Sequence, residues 1–143
     1  MTLVARFEAY AADFEETYAN DCWSRLEQHF TEDAIYSTPA NGGRVSGRDA
    51  VLAVLQGAVS AFDRRCDSRV LVTTDGPHED GNEVRRQWAA TYRLHGAPDL
   101  QIGGSERAVF RGARIELLEV TFTPEMLARL MAYAASYVLP RQK

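Results

Sequence analysis

The sequence predicts an α+β fold: a curved, mainly antiparallel sheet wrapped around amphipathic N-terminal helices, with one further helix after it. Helix-period apolar patterns dominate the chain up to Phe62, and strand patterns joined by short turns fill residues 69–122. Helices first and a strand meander afterwards is α+β order, unlike the alternation that builds a parallel sheet. A curved sheet also needs strand irregularities, and Gly103-Gly104 lies inside a strand pattern where one fits.

Leu3, Phe7, Tyr10, Phe14 and Tyr18 recur at steps of three and four, an aromatic stripe down one side of a helix over residues 3–19. Asp21 offers a cap for a second, shorter helix in which Trp23, Leu26 and Phe30 share a face. The period then changes: residues 34–38 are β-compatible, and Pro39 with Asn41-Gly42-Gly43 ends that strand. A third helix is expected from Ser46, with Asp49 completing a capping-box-like pair and Val51, Leu55, Ala58 and Phe62 on its inner side.

Arg69 to Thr74 reads as a strand and residues 75–81 as a turn region. Val84 to Leu94 is a long strand, residues 96–99 turn back, and Leu100 to Phe110 follows. Arg111-Gly112 is a tight turn before a last strand, Ala113 to Phe122. Thr123 as capping hydroxyl and Pro124 in the first helical position start a final helix running to about Val138, with Leu127, Leu130, Met131, Ala134 and Val138 on a broad apolar arc.

At 143 residues, with 45% hydrophobic composition, the chain is expected to be one folded domain spanning residues 1–143. A formal net charge of −4, with arginines scattered among acids, argues against nucleic acid as a partner. The densest basic group, Arg64, Arg65 and Arg69, is interrupted by Asp63 and Asp67 and reads as a solvated helix end. Cys22 and Cys66 lack metal-finger spacing and read as reduced structural thiols of a cytoplasmic protein. Arg6 and Glu8 interrupt the N-terminal apolar pattern, against a signal peptide, and no segment is long enough to suit a membrane. His29, His78 and His95 form no metal triad or nucleophile-base arrangement, and nothing in the pattern calls for a metal or another cofactor.

Three stretches, FTEDAIYSTP at 30–39, SGRDAVLAVL at 46–55 and ERAVFRGARIELLEVTF at 106–122, stand in the order and spacing of a known superfamily. Through them nearly the whole chain resembles the nuclear-transport-factor-2-like superfamily, which includes ketosteroid isomerases, limonene-epoxide hydrolases and SnoaL-like polyketide cyclases; a SnoaL-like member is the expectation. The resemblance implies a conical pocket between helices and concave sheet, and frequent dimerisation through the convex face. It implies no single chemistry, because the scaffold hosts many.

Matched to the isomerases, the general-base aspartate falls on Thr38, the oxyanion-hole tyrosine on Phe14, its supporting tyrosines on Phe30 and Leu55, and the protonated aspartate near Gly103. None of these side chains supplies the ionisable group that proton abstraction beside a carbonyl requires. Matched to the epoxide hydrolases, Arg86 agrees, but Trp88 and Val120 stand where carboxylates should activate water.

Two-residue alternation puts Arg86, Trp88, Ala90, Tyr92 and Leu94 on one side of the long strand. Centring the two turns at 96–99 and 111–112 adds Ser105, Arg107 and Val109, then Glu116, Leu118, Val120 and Phe122, to that inner side. In this register Arg107 faces Trp88 and Glu116, making Arg107 and Glu116 the candidate catalytic pair, with a structural ion pair as the competing reading. The other side, Arg85, Gln87, Ala89, Thr91 and Arg93 with Glu106, Ala108, Phe110, Ile115, Leu117 and Glu119, suits a homodimer interface.

Candidate ligand contacts are Phe14, Tyr18, Tyr36, Thr38, Leu55, Arg86, Trp88, Tyr92, Leu118 and Phe122. Trp88 and Tyr92 read as core residues first. Arg86 fits a purely structural role least, since a buried guanidinium needs a partner. Three functions follow: binding of a small hydrophobic or oxygenated molecule with isomerase-, cyclase- or hydrolase-type acid/base chemistry, binding without chemistry, or a dimeric interaction module. The C-terminal helix is open to three roles: a lid on the pocket, an element packed against a partner subunit, or plain packing.

Overall fold

In the computed structural model, which describes residues 1–39 and 43–141, three α-helices accompany a curved six-stranded mixed sheet. Helix α1 (Leu3–Asn20) begins at Thr2, whose hydroxyl accepts from Ala5 N at 3.0 Å. It ends at Asp21 in the left-handed region, φ 62°. Asp21 therefore closes the first helix and does not cap the next; its carboxylate instead accepts from the Trp23 indole N–H at 2.7 Å. A 3-10 segment (Trp23–His29) has Cys22 before it, without a side-chain cap.

Strand β1 (Phe30–Thr38) starts earlier than the pattern indicated, with a register break between Phe30 and Ile35. Strand β2 (Gly43–Ser46) pairs back onto β1, Ser46 lying opposite Ile35. That pairing takes Ser46 away from its expected capping role. Helix α2 (Arg48–Ala61) starts instead from Gly47, φ 98°, a conformation open to a residue without Cβ. Of the turn expected here, Asn41 and Gly42 lie outside the described residues.

Strand β3 (Ser68–Asp80) runs straight through the expected 75–81 turn. Register shifts between Thr73 and Asp75 and between Asp75 and His78 absorb the residues that read as turn formers. Strands β4 (Glu83–Arg93), β5 (Leu100–Arg111) and β6 (Arg114–Thr121) complete the meander. The sheet order is β2-β1-β6-β5-β4-β3, antiparallel except where β1 lies parallel to β6. Helix α3 (Pro124–Tyr133) has the expected cap, Thr123 Oγ1 accepting from Met126 N at 3.1 Å, and continues as a π-helical turn, Ala134–Val138.

The strand register corrects one expectation. Trp88 lies opposite Gly104, not Arg107, and Arg107 lies opposite Arg85 and Glu119. A slip of three, like any odd slip, turns every side chain of a strand to the other face. In the second half of β5 it is therefore Glu106, Ala108 and Phe110 that are buried, in line with Leu100 and Ile102 before them, while Ser105 is exposed. The bulge between Val109 and Phe110 adds a second odd displacement, so parity returns on β6 and Leu118 is buried as expected. Ile115, assigned to the outer face, is fully buried.

The buried side chains form two clusters. One joins Phe7 and Tyr10 of α1, Leu26, Phe30, Val51 and Leu55 to Val84, Phe110 and Leu118 of the sheet. The other gathers Trp88, Tyr92, Leu100 and Ile102 with Tyr133 and Val138 from the C-terminal segment. Fully burying a side chain such as Phe7 or Phe30 contributes ~1.5–3 kcal/mol. Gly104 makes room for the Trp88 ring: a Cβ there would stand 2.8 Å from the Trp88 indole and collide with the Thr121 carbonyl. Among the described residues, no helix is long and apolar enough to cross a membrane.

Candidate functional site

A cavity of about 540 Å³ lies where the two clusters fail to merge, walled by α1, α2, α3 and the concave sheet. That volume falls in the range of small-molecule pockets, ~300–1,000 Å³. Phe14, Tyr36, Thr38, Leu55, Arg86, Trp88, Tyr92, Leu118 and Phe122 all line it. Tyr18 does not; its ring lies 5.0 Å from the Arg69 guanidinium, behind the wall. Thr38, Trp88 and Val120, where the resemblance would place acids, are part of the lining and carry none.

Arg107 and Glu116 do not meet. Arg107 pairs with Glu83 at 2.6 Å, away from the cavity lining. Glu116 is the residue without a Cα partner in the β5–β6 bulge, 3.5 Å from Arg111. The pair expected from the sequence is replaced by two others.

The first lies at the junction of α2 and β3. Asp63 opens the 3-10 turn Asp63–Arg65 after α2, and Arg69 is on β3 opposite Tyr92. Arg69 Nε stands 2.8 Å from Asp63 Oδ2, and its Nη1 donates to both oxygens of Glu15 at 2.7 and 2.9 Å. Aromatic faces of Phe14 and Tyr18 flank the guanidinium, which is 5% exposed. Among the described residues, Nε makes no well-aligned hydrogen bond despite its approach to Asp63. The Tyr92 hydroxyl stands 3.5 Å from Asp63 Oδ2. Burial pushes the Asp63 carboxyl up to about 6, against the pull of Arg69.

The second couple joins neighbouring strands. Arg86 on β4 lies directly opposite Glu106 on β5, with Nε and Nη2 at 2.8 and 2.7 Å from Oε1. Arg86 Nη1 donates to Thr73 Oγ1 at 3.2 Å, and the Phe7 ring lies 5.1 Å from the guanidinium. Burial raises the Glu106 carboxyl above the ordinary range while Arg86 pulls it down. Burial likewise pushes Tyr36 up to about 12 and Tyr10 well above a phenol's usual value, so both remain neutral donors. The Cys66 thiol, buried beside Asp63, is pushed up to about 11 and is inert; Cys22 is exposed, and both are free.

Asp63, Arg69, Glu15 and Glu106 escaped the sequence reading for separate reasons. Asp63 and Arg69 sit in a run of charges that resembles a solvated helix end. The signal that finds them is Tyr92, an inward residue of β4 that fixes Arg69 inward once β3 is paired with it. Glu15 follows the apolar stripe of α1 by one residue. Glu106 was hidden by the register slip alone.

A SnoaL-like domain model matches residues 11–123. Among solved structures, TerC co-crystallised with polyporic acid shares 12% identity, with 91% of this chain and 98% of that chain covered at a TM-score of 0.70. A putative isomerase from Bacillus subtilis shares 12%, covering 92% and 96% at 0.70. An M. tuberculosis LEH-like epoxide hydrolase shares 16%, covering 96% of each chain at 0.62. At such identities the likeness is one of fold. No curated protein matches the chain in sequence. The matched stretch, more than three quarters of the chain, establishes that this protein belongs to the SnoaL-like domain family, and its fold is nuclear-transport-factor-2-like.

Proposed function

We propose that the cavity binds a small, mainly apolar molecule bearing a carbonyl, and that Asp63 moves a proton at the carbon beside it while Arg69 holds the carbonyl oxygen. One observation carries this reading: a carboxyl and a guanidinium 2.8 Å apart, both lining an apolar cavity, with the carboxyl pushed up to about 6. A base near the working pH balances ionised fraction against proton affinity. A buried guanidinium stabilises an oxyanion more strongly than it would in water.

In the step itself the C–H bond breaks and its proton goes to an Asp63 oxygen. The bonding pair moves into the enolate, whose negative oxygen is held by the Arg69 guanidinium. Reprotonation from Asp63, at the same or another carbon, completes exchange or isomerisation. Trp88, Phe122 and Ile102 supply the apolar wall that keeps bulk water off the intermediate.

The test is deuterium exchange beside the carbonyl of para-hydroxybenzylacetone in heavy water, followed by NMR. The wild type accelerates it over buffer, and Asp63→Asn loses at least about 100-fold, the usual scale of a positioned base. Binding with no exchange above buffer would leave a ligand-binding protein without chemistry. We also infer that two copies pair through the outer sheet face, supported by Val70 and Val72, each more than half exposed at 53% and 51%. Sedimentation at micromolar concentration reads this directly, and a monomer rejects it.

A further inference from the structure

We propose that the Arg86–Glu106 couple is a second polar subsite that accepts a hydroxyl, so that the ligand carries a carbonyl at one end and a hydroxyl donor at the other, with an apolar span between. The near end rests on the carbonyl chemistry proposed at Asp63; the hydroxyl end stands on its own geometry.

Every nitrogen of Arg86 is already committed. Nε and Nη2 meet Glu106 Oε1 at 2.8 and 2.7 Å, and Nη1 meets Thr73 Oγ1 at 3.2 Å. Phe7 covers the guanidinium at 5.1 Å. Arg86 therefore has little to offer an anionic ligand directly. Its effect is to neutralise Glu106 and to hold Oε1. Oε2 of the same carboxylate receives no hydrogen bond among the described residues, although Glu106 is only 8% exposed and lines the cavity. Since Oε2 is not one of the fully enclosed unsatisfied atoms, it is open to a donor arriving from the cavity, and a ligand hydroxyl can hydrogen-bond to it there. The couple as a whole is neutral and presents an acceptor. It selects a hydroxyl, and it disfavours a carboxylate or phosphate.

The distance between the two subsites sets the ligand's shape. Arg69 is level with Tyr92 on β4 and Glu106 is level with Arg86, six residues further along that strand. At about 3.3 Å per residue their backbones are ~20 Å apart, but the charged ends are close enough for Arg69 to pull down the Glu106 carboxyl. Trp88 and, on the flanking strands, Leu71 and Ile102 lie between these levels and line the cavity there. Leu71, Trp88 and Ile102 offer a ligand an aromatic and aliphatic surface and no further charge. A one-ended ligand would leave one of the couples facing an apolar molecule.

Three ketones differing only at the far end test this by calorimetric titration of the full chain: para-hydroxybenzylacetone, benzylacetone and para-methoxybenzylacetone. The methoxy compound keeps an acceptor oxygen but has no proton to donate. The wild type binds the hydroxy compound at least about ten-fold more tightly than either other, the worth of one hydrogen bond to a charged group. In Glu106→Gln, the amide oxygen stays with Arg86 and the amide N–H replaces the acceptor, so the preference for hydroxyl over methoxy disappears. Equal affinity of the wild type for all three overturns the proposal, as does tighter methoxy binding or no binding of any at millimolar concentration. The wild-type series decides the matter should Glu106→Gln fail to fold. Asp63→Asn separates the two readings: it removes proton exchange and leaves the hydroxyl preference intact. Exchange without a hydroxyl preference sinks the second subsite alone; a preference without exchange sinks the chemistry alone.

Discussion

Arg86 and Glu106 face one another across β4 and β5 with their charges 2.7 Å apart, at 12% and 9% side-chain exposure. An ion pair this enclosed gives up the hydration of both groups, and its attraction repays that only while both partners are present. Removing one leaves an uncompensated charge in an apolar wall.

Glu106→Ala is therefore expected to destabilise the chain by ~3 kcal/mol or more, the cost of stranding Arg86. Replacing both residues, Arg86→Met with Glu106→Leu, should recover most of that loss. Urea unfolding of the single and double variants measures the difference. A double variant no more stable than Glu106→Ala would mean that the pair stabilises the sheet in its own right.

Asp63 gives the protein a pH dependence of definite sign. Its carboxyl holds a proton up to about 6 in the folded chain, against 3.8 ordinarily. Between those values the native state binds more protons than the unfolded state. The contribution is thus fully present below about pH 4 and is lost as pH rises through about 6. Urea midpoints across that window should fall with rising pH, and Asp63→Asn should flatten the fall. The exchange rate runs the opposite way, rising through the same pH as the base ionises; a profile flat across it removes Asp63 from the step.

Gly104 is needed for its lack of a side chain. An added Cβ meets the Trp88 indole at 2.8 Å and the Thr121 carbonyl on the neighbouring strand. Gly104→Ala should cost ~1–3 kcal/mol, the range for overpacking, and should shift Trp88 fluorescence. Combining it with Trp88→Leu recovers only part of the loss, because the carbonyl clash remains. Full recovery would place all of the strain on the indole.

The C-terminal helix lies beyond the stretch shared with the family yet reaches the cavity through Leu130, Met131 and Ala134. Met131 is 63% exposed and borders the cavity, so a larger side chain can be carried there without entering the core. Met131→Trp should weaken binding of an apolar dye several-fold with little change in melting temperature. Unchanged dye affinity would confine α3 to a packing role.

The sequence alone determined the helices-then-meander order of the main elements, though not the short strand β2, together with the stripe on α1, the cap at Thr123 and the inward side of β4. These depend on periodicity and short-range hydrogen bonding, which neighbouring residues settle among themselves. It also picked out Arg86, Trp88 and Tyr92 for the cavity wall, because alternation within one strand needs no partner. Only the tertiary structure decided which carboxylates join them. Whether Glu106 or Arg107 turns inward depends on where the 94–99 connection lets β5 rejoin β4, and on a bulge at Val109 and Phe110. Asp63 and Arg69 share a cavity because β3 pairs with β4 so that Arg69 stands opposite Tyr92. Register is a long-range property of paired strands, and a displacement by an odd number of residues exchanges the two faces without altering a single local preference.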